Sequence, residues 1–493
     1  MSTPLQALKA KMADINALGA ATAIMGWDQQ TYMPHGGAEA RGVHVGILSR
    51  MSHEIFTSQE VGNLIEAAQP ASPEDEAYMR IVRRDFDQAT KLPSALVEEM
   101  ARLSTEGHEK WVEARRDNRF DLFAPVLERV VEISRQVADL LGYEDHIYSG
   151  LLDQYEEGAT HADCVRMFDA LRQPLVDLVK DLASCPQPDD SFLTGDWNEA
   201  SQRAFTEKLV KAIGFDMNRG RQDTAPHPFC TGWSIGDIRL TTRFKDYLPS
   251  AIFGSLHEAG HGMYEQGSPK EWDLTPLAGG VSLGLHESQS RTWENIVGRS
   301  RPFWQRFYPD LQGAFPALSG VDFETWLKAV NKVTPSLIRV EADEVTYNLH
   351  IMIRFEIECA LLTGELKVKD LPEAWNSKYE SYLGVTPETD SVGCLQDVHW
   401  SMGSIGYFPT YSMGNLLSVQ IWNKLAFDLG DVDGMMAKGE FEPILEWLQE
   451  KLYRKGRSIT PKDLVLQITG KPIGAEDYLA HITAKYRSLY GLS

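Results

Sequence analysis

Apolar residues recur at three- and four-residue spacing from the start of the chain. Leu5, Leu8, Met12, Ile15 and Leu18 fall on one face of a helix. Segments 76–92, 94–117, 124–142 and 165–183 show the same pattern in Ala, Leu, Glu, Arg and Lys, with few β-branched runs. Long strand-like alternation is scarce, which argues against a parallel αβ architecture. The exception is 226–243, where Thr231, Trp233, Ile235, Ile238, Leu240, Thr241 and Thr242 cluster around Gly232 and Gly236. That composition predicts a small sheet, whose edge strand can pair with an extended peptide backbone. The pattern therefore predicts a mainly α fold with one small β-sheet.

Turn residues in Cys185-Pro186-Gln187-Pro188-Asp189-Asp190-Ser191 mark a loop. It parts an N-terminal helical lobe, 1–185, from a second lobe, 192–493. A further break falls at Gly384–Gly393, with Pro387 and Asp390, and no fixed-period repeat is present. A chain of 493 residues can bury a large core. Its formal charge of −22 argues against a nucleic-acid partner. No run approaches the roughly 20 apolar residues of a membrane span, and the first residues do not resemble a signal peptide. Five scattered cysteines without a Cys-x-x-Cys pair suit reduced thiols. These features together predict a cytoplasmic protein.

The chemistry is concentrated in His257-Glu258-Ala259-Gly260-His261. Two histidines four apart share a helix face, roughly 5–6 Å apart at Cβ, and can reach one zinc ion. Glu258 between them is placed to take a proton from an attacking water. A catalytic zinc needs a third protein ligand. Gly267 stands six residues after His261, which argues against a third histidine in the metzincin manner. The alternative is a carboxylate from a second helix. Glu287 lies 26 positions beyond His261, and Glu294 shares its predicted helix two turns on. Gly279, Gly280 and Gly284 border the segment and permit close packing.

Phe253–Gly262 followed by His286-Glu287-Ser288-Gln289-Ser290 resembles the carboxypeptidase Taq family of metallocarboxypeptidases. So do His227-Pro228-Phe229, Asp237-Ile238-Arg239-Leu240-Thr241, Ile338–Asp343 and Gly393–Trp400, with Gly26-Trp27-Asp28 near the start. Matching blocks run in order from about residue 26 to about 411. The resemblance implies a single catalytic domain over 1–493 with a deep active-site groove, a homodimer, and one divalent ion, zinc or cobalt. It also implies His257, His261 and Glu287 as metal ligands and Glu258 as general acid/base. Thermolysin-like enzymes place an Asp four residues after their third ligand, where this chain has Arg291. The partner orienting a ligand histidine must then come from elsewhere, with Asp343 and Asp397 as candidates.

A peptidase also needs a donor for the oxyanion, and His or Tyr can serve. His399 is the first candidate and Tyr407 the next, with Tyr411 beside it as an oxyanion or substrate-binding group; each could equally pack in the core. Recognition of a free C-terminal carboxylate favours arginine, whose planar fork binds it bidentately. Arg354, four residues after His350 in an apolar stretch, and Arg239 are the candidates, with Arg339 weaker. Carboxypeptidase action on peptides of broad specificity is the leading reading. A metallo-oligopeptidase and a non-catalytic metal-binding scaffold are the alternatives.

Overall fold

The computed structural model describes residues 2–492, and helices take 69% of the chain, as the scarcity of alternation predicted. The N-terminal part runs through α1 (Pro4–Thr31), α2 (Ala38–Phe56), α3 (Gln59–Ala67), α4 (Pro73–Lys91), α5 (Ser94–Asp117), α6 (Phe120–Leu141), α7 (Ile147–Leu152), α8 (His161–Ala183) and α9 (Glu199–Ala212). Local signals set their ends. Ser72 caps α4 by accepting the Asp75 amide, with Pro73 and three acidic residues in the first turn. Asn118 closes α5 in the left-handed region at φ 53°.

Three strands follow: β1 (Gly220–Thr224), β2 (Cys230–Ser234) and β3 (Asp237–Thr242). β2 and β3 form an antiparallel pair within 226–243, where a small sheet was expected, with a register shift between Gly232 and Ser234. β1 joins β3 in parallel. It escapes sequence reading because Gly-Arg-Gln-Asp-Thr carries no apolar alternation. The order β1-β3-β2 puts β3 in the centre, where it packs on α10 (Leu248–Gln266).

The remaining helices are α11 (Leu283–Arg291), α12 (Arg301–Ala314), α13 (Phe323–Val330), α14 (Tyr347–Thr363), α15 (Leu371–Leu383), α16 (Pro409–Leu429), α17 (Val432–Lys438), α18 (Glu442–Lys451), α19 (Pro461–Thr469) and α20 (Glu476–Tyr490). One apolar core extends from Leu96 to Tyr486 and includes both Leu182 and Leu193, so packing continues across the Cys185–Ser191 loop. A smaller core gathers Leu5, Leu8, Val61, Ile65, Tyr78 and Val82 from α1, α3 and α4. Helices α10, α14 and α16 are buried around most of their circumference. Their polar residues are consequently costly unless paired, and the candidate site is made of such residues.

Candidate metal centre

Close backbone approach builds the centre. A methyl group at Gly260 would lie 2.5 Å from the Gln289 carbonyl oxygen and 2.7 Å from Ser290 Cα, so only glycine lets α11 rest on α10. From the other side, a Cβ at Gly414 of α16 would lie 2.5 Å from Glu287 Cγ. The glycines expected to allow this contact have other neighbours: Gly280 faces His286 and Gly284 faces Glu156. Pressed between α10 and α16, Glu287 brings Oε2 to 3.4 Å from His261 Nε2 and 3.7 Å from His257 Nε2. Ligand atoms about 2.0–2.1 Å from one tetrahedral ion are themselves about 3.3 Å apart. The three side chains thus have the spacing of a ligand set, and their donor atoms all lie within 4.8 Å of one another.

The outward-facing ring nitrogens are occupied. His257 Nδ1 donates to Glu294 Oε2 at 2.8 Å. Helix α11 passes at Thr292 into a π-helical turn, Thr292–Val297, which carries Glu294 to that position. His261 Nδ1 lies 2.6 Å from His286 Nδ1, and His286 Nε2 lies 2.6 Å from Glu265 Oε1. An ionised Glu265 accepts the His286 Nε2 proton, so His286 Nδ1 accepts from His261. In their neutral forms both ligand imidazoles then present an Nε2 lone pair to the centre. Arg291, in the place of the thermolysin-like Asp, bonds Glu287 Oε1 at 2.7 Å and Glu294 Oε2 at 3.2 Å.

Asp343 and Asp397, the candidates for orienting a histidine, do other work. Asp343 accepts the amides of Thr334, Val345 and Thr346. Asp397 pairs with Arg339 and Arg354. The signals for the true partners were the seven-residue step from Glu287 to Glu294 and His286, which adjoins Glu287 in the same block.

Burial works against charge at Glu287, but Arg291 and His257 outweigh it and hold the carboxyl well below its usual range. Burial likewise opposes Glu294, which Arg291 and His257 pull down to about 2. Burial disfavours the His257 cation, yet Glu287 and Glu294 lift it to about 9. Burial takes His261 down to about 4. Arg291 and Arg299, the latter 3.6 Å from Glu294 Oε1, balance Glu287 and Glu294, so the charge a divalent ion would replace at the centre is the His257 cation those carboxylates favour. Glu258 is 6% exposed. Burial, reinforced by Glu287 and Glu294 against His257, raises it to about 7.

The other candidates divide between two settings. His399 Nε2 lies 3.2 Å from the Tyr411 hydroxyl, and the His399 and Tyr407 rings lie 5.4 Å apart. His399 Nδ1 is buried with no hydrogen-bond partner among the described residues. Burial and the nearby Arg339 push His399 down to about 3, so its ring is neutral. Burial and Glu287 raise Tyr407 to about 12. Arg354, expected to bind substrate, is fully buried. Its guanidinium bonds Asp397, Gln396, Tyr379 and the His350 carbonyl, so burial and saturation keep it from substrate. Arg339 is held by Asp397 and Tyr347. Arg239 lies between the rings of Trp27 and Trp233 at 4.2 and 4.5 Å. It pairs with Asp237 through Nε and Nη2, and Nη1 makes no hydrogen bond among the described residues.

The family model of the carboxypeptidase Taq (M32) metallopeptidases matches residues 7–486. The chain belongs to that family. It is 41% identical over 487 residues to thermostable carboxypeptidase 1 of Thermus thermophilus, covering 95% of each chain. It is 38% identical to carboxypeptidase 1 of Bacillus subtilis, again over 95% of each. Among solved structures, the M32 carboxypeptidase of Deinococcus radiodurans R1 superposes with a TM-score of 0.97 at 38% identity, covering all of both chains. The carboxypeptidase of Pyrococcus furiosus gives 0.96 at 37%, over 99% of each. This M32 protein is a metal-dependent carboxypeptidase. No described helix is long and apolar enough to cross a membrane.

Proposed function

We propose that this M32 carboxypeptidase removes C-terminal residues from peptides of broad composition, using one zinc ion held by His257, His261 and Glu287. The convergence of two Nε2 atoms and Glu287 Oε2, with both Nδ1 atoms engaged elsewhere, carries this reading. Two imidazoles and a carboxylate suit zinc and accept cobalt. When bound, such an ion lowers the pKa of water and polarises a carbonyl.

Glu258 accepts the proton of the attacking water and delivers it to the departing amine. Its pKa near 7 favours both transfers. Tyr407, un-ionised at neutral pH, donates to the oxyanion, and His399 and Tyr411 position it: the His399 ring packs on Tyr407, and its Nε2 bonds the Tyr411 hydroxyl. Arg239 receives the substrate carboxylate through Nη1, its plane kept by two tryptophans. Residues 1–493 act as one catalytic domain, for which the core continuous across the Cys185–Ser191 loop is support. Homodimerisation uses α2, which buries no residue of its own and exposes Val43, Ile47 and Met51 along one stripe. Free thiols at all five cysteines fit a cytoplasmic location.

A peptide with a free C-terminus and its C-terminal amide form the test pair. The free peptide should lose its last residue, and the amide should resist cleavage. Equal cleavage of both would favour the internal-bond peptidase. Glu258→Gln should retain the metal and lose turnover; undiminished hydrolysis would overturn the assigned mechanism.

A further inference from the structure

A second group of soft donors lies apart from the catalytic helices. His146 caps α7, His161 opens α8, and Cys359 lies one turn beyond Phe355 on α14. One donor atom from each lies within 4.8 Å of the other two, and all three residues are half-buried, within reach of solvent. The two imidazoles stack with centroids 3.9 Å apart and planes inclined by 21°.

Packing fixes the group. Asp145 accepts the Ser149 hydroxyl at 2.6 Å, and Ser149 accepts the His161 amide at 2.8 Å, which holds His161 over His146. Phe355 packs on the His161 ring at 5.5 Å and on Tyr148 at 5.1 Å. Tyr148 also bonds Glu358 at 2.7 Å, the residue before Cys359. Three elements are thus locked together around the donors. This support fixes the three donor-bearing segments, while the stacked rings, whose lone pairs lie in their own planes, splay for both to reach one ion.

We propose that His146, His161 and Cys359 form a second metal site, for a zinc-like ion, independent of the catalytic centre. Two imidazoles and one thiolate select borderline or soft ions such as zinc over magnesium or calcium. Burial keeps both imidazoles below their usual pKa, so they arrive neutral with a lone pair each. Burial holds Cys359 as a thiol, so binding forms the metal–sulfur bond as the thiol proton leaves to solvent. Asp145 and Glu365 add negative potential around the imidazoles. His146 Nδ1 now accepts the Tyr148 amide at 3.1 Å. Whichever ring nitrogen ligates, that bond is given up, because a neutral imidazole has one lone pair. The second site is therefore weaker than the catalytic one, and it fills after it.

Cobalt(II) separates the two sites, because sulfur-to-cobalt charge transfer requires a thiolate and the proposed catalytic ligands contain no sulfur. Zinc-loaded enzyme carrying one equivalent is titrated with cobalt(II) and followed by near-ultraviolet absorption. The wild type should develop the charge-transfer band and take up one further equivalent. Cys359→Ser should abolish the band while its peptidase activity stays at the wild-type level. His146→Asn should weaken uptake by at least about tenfold, the smallest loss that disturbing even a ligand's support causes. Cys185→Ser and Cys230→Ser should keep the band. A wild type without the band, or a band that survives Cys359→Ser, overturns the proposal.

Discussion

Two buried polar clusters in this protein are built from similar parts and left in opposite states. Around Asp397, the carboxylate meets Arg339 through Oδ1 and Arg354 through Oδ2, with Gln396, Tyr379 and Tyr347 taking further guanidinium donors. Burial opposes the Asp397 charge, and the two arginines outweigh it, holding the group far below the usual carboxylate range. Around Glu287, every outward atom is bonded, but two imidazole Nε2 atoms and one carboxylate oxygen face each other at 3.4 and 3.7 Å. The first cluster is closed and ties α14 to the 396–399 segment. The second is held open toward one point in space. Burial and charge alone do not mark a site; what marks it is convergent donors whose other atoms are already occupied.

Asp397→Asn should show the greatest loss of stability, because it removes the carboxylate that two buried guanidinium groups share. Breaking a buried pair typically costs about 3–5 kcal/mol. Chemical denaturation should report that loss; a change below about 1 kcal/mol would remove the contrast between the clusters. Gly260→Ala forces α10 and α11 apart, against a contact that would be 2.5 Å. Overpacking of this kind costs about 1–3 kcal/mol. Misplacing a ligand by about 1 Å costs about 100-fold in turnover, so metal content and kcat/KM should fall together, ahead of stability.

Protonation tests burial without convergence. Glu358 accepts bonds from Tyr148, Trp400 and the Gly406 amide, yet burial raises it to about 7 from 4.5. A raised folded value favours the protonated form. Its contribution is complete below about 4.5 and is lost as pH rises through about 7, a change of about 3 kcal/mol. Glu358→Gln should flatten the pH dependence of unfolding by about that amount across this window. Parallel curves for the two proteins would refute it. Glu294→Gln should loosen the His257 ring and lower metal affinity by about 10–100-fold, or about 1.4–2.8 kcal/mol, with little change in unfolding free energy. Competition with a chelator measures this, and an equal loss of stability would make Glu294 structural. The smallest effect is expected of Arg239→Lys, which keeps the charge and loses the planar fork between Trp27 and Trp233. KM for unblocked peptides should rise several-fold with kcat unchanged.

Much of this was open to reading in one dimension. The four-residue step from His257 to His261 places both rings on one face of any helix, whatever surrounds it. The β-branched and aromatic residues clustered around Gly232 and Gly236 marked a small sheet, whereas polar β1 needed its neighbour to exist. Arg354 was misjudged because an arginine in an apolar stretch looks the same whether it meets substrate or a buried aspartate. Glu294 lay on the right segment, but its contact with His257 depends on a π turn that has no one-residue signature.

The sequence by itself determined the donor types and their helical spacing, because these follow from residue chemistry and periodicity. Tertiary structure decided which carboxylate meets which imidazole and which arginine is already saturated. It also decided which lone pairs point at one another. Those outcomes depend on distances across helices far apart in the chain, and only packing sets them.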